Sequence, residues 1–326
     1  MAGTHPVLLR QLFDCAQRGD VVQVQALLAV LPSRETYTAN RALTAAVRND
    51  HASVVAAFAA ARIPASRLPM HLDLAVCHGS VHVAAFLIQA KVSVDGDFHR
   101  EPPLYTATSR GQLLGVSLLV AVKARLWGAG SRYSALHRAA QCGHADVVEC
   151  LLRAKADHRQ PNSINETPVY LAAIHKGSEP ALRVLLDAHA DVNPPPPCVI
   201  PLTGAACYAR LPSVFHVLLG ARADVNATLY RGYTALLAAV TQKCSDAVVK
   251  LLVRAKADVN VQCATGEGRA PLHAAAMCGR LTTARLLVRA KADTRAETLH
   301  GQTAAAIALR NRHFKLADYL DAHART

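Results

Sequence analysis

The chain has 326 residues, 52% hydrophobic and only 5% aromatic, with a formal net charge of +13. No run of 18 uninterrupted apolar residues occurs, which argues against a membrane span. Met1 to Pro6 lacks the charged and apolar regions of a secretory signal, and the nine cysteines contain no CxxC pair, so reduced, buried thiols inside the cell are expected.

In chain order, Val7 to Val30 reads as a first unit turning at Arg18-Gly19-Asp20. Arg41-Ala42-Leu43-Thr44-Ala45-Ala46 and Leu72 to Gly79 mark two further first helices, and Val54 to Ala61 is an Ala-rich second helix. From about residue 100 the pattern sharpens, and Ser134 to Asp157 shows it best. Ala-rich residues before Gly143 form a short first helix, and Gly143 suits a left-handed cap because it has no Cβ to clash. Val147, Val148, Leu151 and Leu152 then share one face of a second helix. Pro180 and Pro212 fall near the starts of second helices, where a first-turn proline is tolerated. Pro194 to Pro197 predict an extended segment, either a docking strip or a stiff spacer.

The phrase Ala-Lys-Ala-Asp, or a variant of it, closes block after block. Its last residue falls at Ser93, Arg125, Asp157, Asp191, Asp224, Asp258 and Asp293, in steps of 32, 32, 34, 33, 34 and 35. A period of that length means stacked helix-turn-helix units rather than a single globular core. Length alone suggests two domains, but the period predicts one array over 1–326, with degenerate units at 7–99, well-formed units at 100–299 and a capping unit at 300–326.

These blocks resemble ankyrin repeats. The family phrase Thr-Pro-Leu-His returns as Thr167-Pro168-Val169-Tyr170, Ala270-Pro271-Leu272-His273, Pro102-Pro103-Leu104-Tyr105 and Thr234-Ala235-Leu236-Leu237. The ending Ala-Asp-Val-Asn stands intact at 190–193, 223–226 and 257–260. The resemblance implies an all-α solenoid of about ten units with hairpin or loop fingers. It also implies that His137 and His273 hydrogen-bond between neighbouring loops.

The same resemblance places the working surface on the fingers and first helices. Finger positions hold Glu101, Tyr133, Glu166, Tyr233, Arg269 and Gln302. First-helix candidates are Thr106, Arg110, Arg138, Gln141 and His175. Tyr and Arg are enriched at binding hot spots, so the partner-binding candidates are Glu101, Tyr133, Arg138, Glu166, Tyr233 and Arg269. Asn193, Asn226 and Asn260 resemble asparagines that are β-hydroxylated in ankyrin proteins, and loop geometry accounts for the same residues.

Nine basic residues, Lys91, Lys123, Arg153, Lys155, Arg222, Arg254, Lys256, Arg289 and Lys291, are expected at second-helix ends, where cations offset the helix dipole. The net charge therefore speaks less for nucleic acid than for an acidic protein partner. No GxSxG, HExxH or phosphate-binding loop occurs, and Cys142 with His144 is too small a set for zinc. The expectation is a monomeric, non-catalytic adaptor without cofactor or metal, in cytoplasm or nucleus. Alternatives are a ubiquitin-ligase substrate receptor, or a basic edge that binds anionic partners. The first would ordinarily carry a C-terminal box, and the chain stops at Thr326 soon after its last helix. The N-terminal third, poor in Leu-Leu pairs, is expected to be the least stable part.

Overall fold

The computed structural model describes residues 5–31, 36–61, 68–95, 101–127, 132–229, 232–263 and 267–324. By their contacts the residues fall into two compact units, 1–157 and 158–326. The described residues form twenty helices and one two-stranded hairpin, the all-α architecture that the period predicts.

In the first unit the helices pair as α1 (His5–Arg18) with α2 (Val21–Val30), α3 (Thr36–Arg48) with α4 (Ala52–Ala60), and α5 (Leu68–His78) with α6 (Val81–Gln89). Then come α7 (Pro103–Ser109) with α8 (Leu113–Ala121) and α9 (Ala135–Cys142) with α10 (Ala145–Arg153). First helices stack on first helices and second on second, so the unit has two layers.

The second unit repeats this with α11 (Pro168–Ile174), α12 (Glu179–Asp187), α13 (Pro201–Cys207), α14 (Pro212–Gly220), α15 (Ala235–Thr241) and α16 (Asp246–Arg254). It closes with α17 (Pro271–Met277), α18 (Leu281–Arg289), α19 (Ala304–Arg310) and α20 (Phe314–Ala324). A finger hairpin pairs β1 (Thr228–Leu229) antiparallel with β2 (Tyr233–Thr234).

Local chemistry starts and stops these helices. Ser134, Thr167, Thr234 and Thr303 each accept a hydrogen bond from the third helical amide, satisfying a donor the helix leaves open. The core is thin: buried Ala139 and Ala140 let first helices approach, while Val147, Val148 and Leu151 fill the space between helix pairs. Pro212 sits at the first position of α14 and Pro180 in the first turn of α12, as expected. The prolines at 194–197 do not run extended. The Cys198 N–H donates to the Pro195 carbonyl (3.1 Å), closing a turn, and the Val199 N–H donates to Asn165 (3.0 Å).

Six of the nine cations assigned to second-helix ends lie elsewhere. Arg153, Arg254 and Arg289 are last helical residues, but Lys91, Lys123, Lys155, Arg222, Lys256 and Lys291 sit beyond the cap with φ of 60–67°. His189 takes the same place in its repeat (φ 60°). Each turn is a Schellman motif. At α16, the Lys256 N–H donates to the Val253 carbonyl (3.0 Å) and the Ala257 N–H to Leu252 (3.0 Å). Ala257 then tucks its methyl inward, 8% exposed. The chain must reverse sharply here, and a left-handed residue does it.

The second-helix layer changes character along the chain, with charge on α10 in the first unit and none on α14 in the second. Helices α2, α4, α6 and α8 contain no Asp, Glu, Lys or Arg, whereas α10, α12, α16 and α18 carry charge on the face away from the core. On the uncharged helices Val22, Val30 and Leu114 are left exposed.

Candidate functional site

In the first unit the structure gathers three of the predicted residues. Glu101 lies just before α7, Tyr133 just before the Ser134 cap, and Arg138 in the first turn of α9. The Arg138 guanidinium lies over the Tyr133 ring, 5.4 Å from its centroid. Its Nη2 donates to Glu101 Oε1 (3.3 Å) and its Nη1 to Gln141 Oε1 (3.2 Å), while Nε is buried without a partner among the described residues. Behind Tyr133, the Tyr105 hydroxyl donates to the Tyr133 carbonyl. The Arg138 side chain is only 25% exposed, so one planar cation is held flat between an aromatic ring and a carboxylate.

His137 anchors this corner. Its Nδ1 accepts from the Ser134 N–H (3.3 Å), and its ring meets Trp127 edge-on. His273 does the same in the second unit and also bridges loops, its Nε2 donating to the Ala296 carbonyl (2.9 Å). Burial pushes the His273 pKa below the usual imidazole value, so the ring stays neutral near pH 7. His273 thus joins neighbouring loops, as the family resemblance implies, while the bond described for His137 lies within its own turn.

The other three candidates, in the second unit, are each held within their own loops. Glu166 accepts from the Asn162 side-chain amide (2.9 Å), and Asn162 Oδ1 accepts from the Glu166 N–H (2.9 Å). Tyr233 pairs with Leu229 across the hairpin, and burial raises its phenol pKa. Arg269 pairs with Glu267 (2.6 Å) and reaches Met277 Sδ (3.2 Å). Of the first-helix candidates, Thr106 and Arg110 line a cavity of about 540 Å³ that Glu101 also borders. The hydroxyl of Thr106 donates to Asp73. His175 is engaged by the Leu171 carbonyl (2.9 Å).

Asn193, Asn226 and Asn260 form a ladder. Each side-chain oxygen accepts the N–H of the next repeat's Asp224, Asp258 or Asp293 (2.8 Å in all three). Each Nδ2 donates to the carbonyl of the next left-handed residue: Arg222 (3.0 Å), Lys256 (3.4 Å) and Lys291 (3.3 Å). Both ends of every amide are thus used in joining repeats. In the first unit Asp95 stands at this position and accepts the Arg125 N–H (2.8 Å).

Candidate nucleophiles and ligands are tied down as well. His144 Nε2 donates to the Ser109 carbonyl (3.1 Å). Among the described residues no group of three His, Cys, Asp or Glu is placed to hold a metal. The thiols are not uniformly buried as expected: Cys142 is exposed, and Cys150, Cys198, Cys207 and Cys278 are partly so. Burial nonetheless raises the pKa of Cys77, Cys142, Cys150, Cys198, Cys207 and Cys244, which keeps them protonated and poor nucleophiles. No described helix is long and apolar enough to cross a membrane.

A family model of ankyrin repeats matches in three copies, over residues 122–195, 202–298 and 242–325, more than half of the chain. The chain belongs to the ankyrin-repeat family. Ankyrin repeats are a protein-interaction module, and this ankyrin chain has the fold of solved relatives. The crystal structure of the human ASB11 ankyrin repeat domain is similar with a TM-score of 0.60 and 24% identity, over 68% of this chain and 98% of that one. The ankyrin repeat domain of Bcl-3, titled a unique member of the IkappaB protein family, is similar with a TM-score of 0.57 and 28% identity, with the same coverage. No curated protein sequence matches this ankyrin chain.

The pairing of Glu101 with Arg138 was not foreseen from sequence, because the residues are 37 apart. Superposing the repeats marks Arg138 itself, though not its partner: it follows its phrase by one residue, where the second unit has Leu171, Gly204, Ala238 and Ala274.

Proposed function

We propose that this chain is a non-catalytic scaffold that holds a partner protein on the surface around Glu101, Tyr133 and Arg138. The observation that carries this reading is the state of Arg138, stacked on Tyr133 and fixed at both nitrogens of its fork. A side chain already ordered loses little freedom on binding, and Tyr and Arg are common anchors. The engaged histidines and protonated thiols support a role without catalysis, cofactor or metal. The thiols also favour a reducing compartment, cytoplasm or nucleus, with the chain as a monomer.

The test is capture of partners from lysate by wild type and by Tyr133→Ala/Arg138→Ala, with Glu166→Ala/Arg269→Ala as comparison, at about 50 and 200 mM salt. A discrete protein that survives the higher salt and loses about 30-fold in affinity in the first variant alone supports the reading. Equal capture by both variants overturns it.

A second reading is favoured by the turns. Lys91, Lys123 and Lys155 in one unit, and His189, Arg222, Lys256 and Lys291 in the other, are all exposed, with no side-chain partner among the described residues. Such rows would attract anionic partners, although Asp157, Asp191, Asp224, Asp258 and Asp293 offset part of their charge. Release of the captured material by salt, whatever the variant, would favour this edge.

A further inference from the structure

The first-helix face of the first unit carries two adjoining cavities, of about 500 and 540 Å³, that share Asn40 and Thr44 and so form one groove across α1, α3, α5 and α7. Arg48 and Arg110 line it from the C-terminal ends of α3 and α7. Neither guanidinium has a hydrogen bond or ion pair with a described residue, although two carboxylates line the same groove. Those carboxylates are already engaged. Asp73 accepts the Thr106 hydroxyl and the Cys77 thiol (3.9 Å), and Glu101 accepts from Arg138.

His78, at the end of α5, lines the groove too. Desolvation, and after it the positive fields of Arg48 and Arg110, hold its pKa below the usual imidazole value. Asn40 adds an acceptor: its side-chain oxygen is buried and has no partner among the described residues. Beside these polar groups lie Met70, 44% exposed, and Leu74.

The groove therefore lacks an oxyanion near Arg48 and Arg110, an N–H for Asn40, and apolar cover for Met70 and Leu74. An extended peptide supplies all three. A nucleic acid supplies the oxyanion, but its charge at every step would pass Asp73 and Glu101 and be repelled. We propose that this groove binds a protein segment in which an acidic residue stands beside an apolar one. Its carboxylate lies between Arg48 and Arg110, and its apolar side chain covers Met70 and Leu74. This rests on the protein-binding reading above and names the chemistry of the partner.

The test is fluorescence anisotropy with the full chain and a short labelled peptide holding one Glu beside one Leu among Ser and Gly, at about 150 mM salt. Comparison ligands replace Glu by Gln, replace Leu by Ser, or substitute a single-stranded oligonucleotide of equal charge. Arg48→Gln/Arg110→Gln is expected to weaken the Leu–Glu peptide about tenfold or more. Arg48→Lys/Arg110→Lys, which keeps the cations at the helix ends but loses the planar fork, is expected to weaken it about threefold. Lys155→Gln/Lys256→Gln is expected to have no effect, and circular dichroism verifies that every variant folds. The inference is overturned if wild type does not bind, if the Gln peptide or the oligonucleotide binds as well as the Leu–Glu peptide, or if both arginine variants bind like wild type. If the arginine variants still capture the protein that Tyr133→Ala/Arg138→Ala loses, this inference fails and the scaffold reading stands. If no variant alters capture, the scaffold reading fails.

Discussion

Replacing Arg222, Lys256 and Lys291 by glycine is expected to stabilise the second unit. These residues hold φ of 63°, 65° and 67° after the caps of α14, α16 and α18. A left-handed backbone costs a non-glycine residue about 1–2 kcal/mol. Glycine's greater freedom in the unfolded chain takes back about 0.4–1 kcal/mol. The net gain is about 0.5–1 kcal/mol per site, or about 1.5–3 kcal/mol for all three. The sites are a repeat apart and share no side-chain partner, so additivity is expected. The bonds that close each turn, and the amides of Asn193, Asn226 and Asn260, touch only main chain and survive the change. Urea unfolding followed by circular dichroism would measure it, with Lys256→Ala as a control that removes charge and keeps the strain. A midpoint unchanged or lowered in the glycine variants, at constant slope, would refute the argument. It would mean that the basic side chains contribute more than the turn costs.

Other outcomes follow from the same geometry. Asn226→Ala should cost about 1–2 kcal/mol, because the Asp258 N–H and the Lys256 carbonyl both lose their partner; a melt checks it. Gly204→Ala should destabilise by about 1–2 kcal/mol despite alanine's better helix propensity, since the new Cβ meets the Tyr170 ring and comes within 2.9 Å of Ile174 Cγ2. His273 has a folded-state pKa below its unfolded value of about 6.5, so the folded chain binds fewer protons. Its contribution is complete above pH 6.5 and is lost as pH falls through the folded pKa. Denaturation midpoints between about pH 5 and 7.5 should therefore drop less steeply for His273→Gln than for wild type. Amides of α3 to α6 should exchange faster than those of α10, α12, α16 and α18, since each repeat leans only on its neighbours. Equal protection would contradict it.

The architecture was legible because one phrase recurs, and because Ser134, Thr167 and Thr234 announce helix starts three residues ahead of the amides they cap. The left-handed turns were not legible. Glycine is the ordinary mark of such a turn, and at 91, 123, 155, 256 and 291 a lysine stands there instead, which reads as the last turn of a helix. The turn at 194–197 was not legible for a different reason: Val199, just after it, is held by the Asn165 carbonyl some thirty residues upstream, and local propensity carries no record of that. Tyr133 and Arg138 were visible as candidates one by one. That Arg138 would reach Glu101 depends on how α7 packs on α9, which only the stacked repeats reveal.

The asparagine ladder has a consequence for how such a chain can change length. Asn193, Asn226 and Asn260 each read the backbone of the following turn and ignore its side chain. Excising the block from Asn226 to Val259 would put Asn260 in the place of Asn226 behind Val225, with Asn193 still on Arg222 and Asp224 and Asn260 still on Lys291 and Asp293. The seams of this unit are interchangeable parts, so whole repeats can be lost, copied or transplanted while the residues between the seams diverge freely.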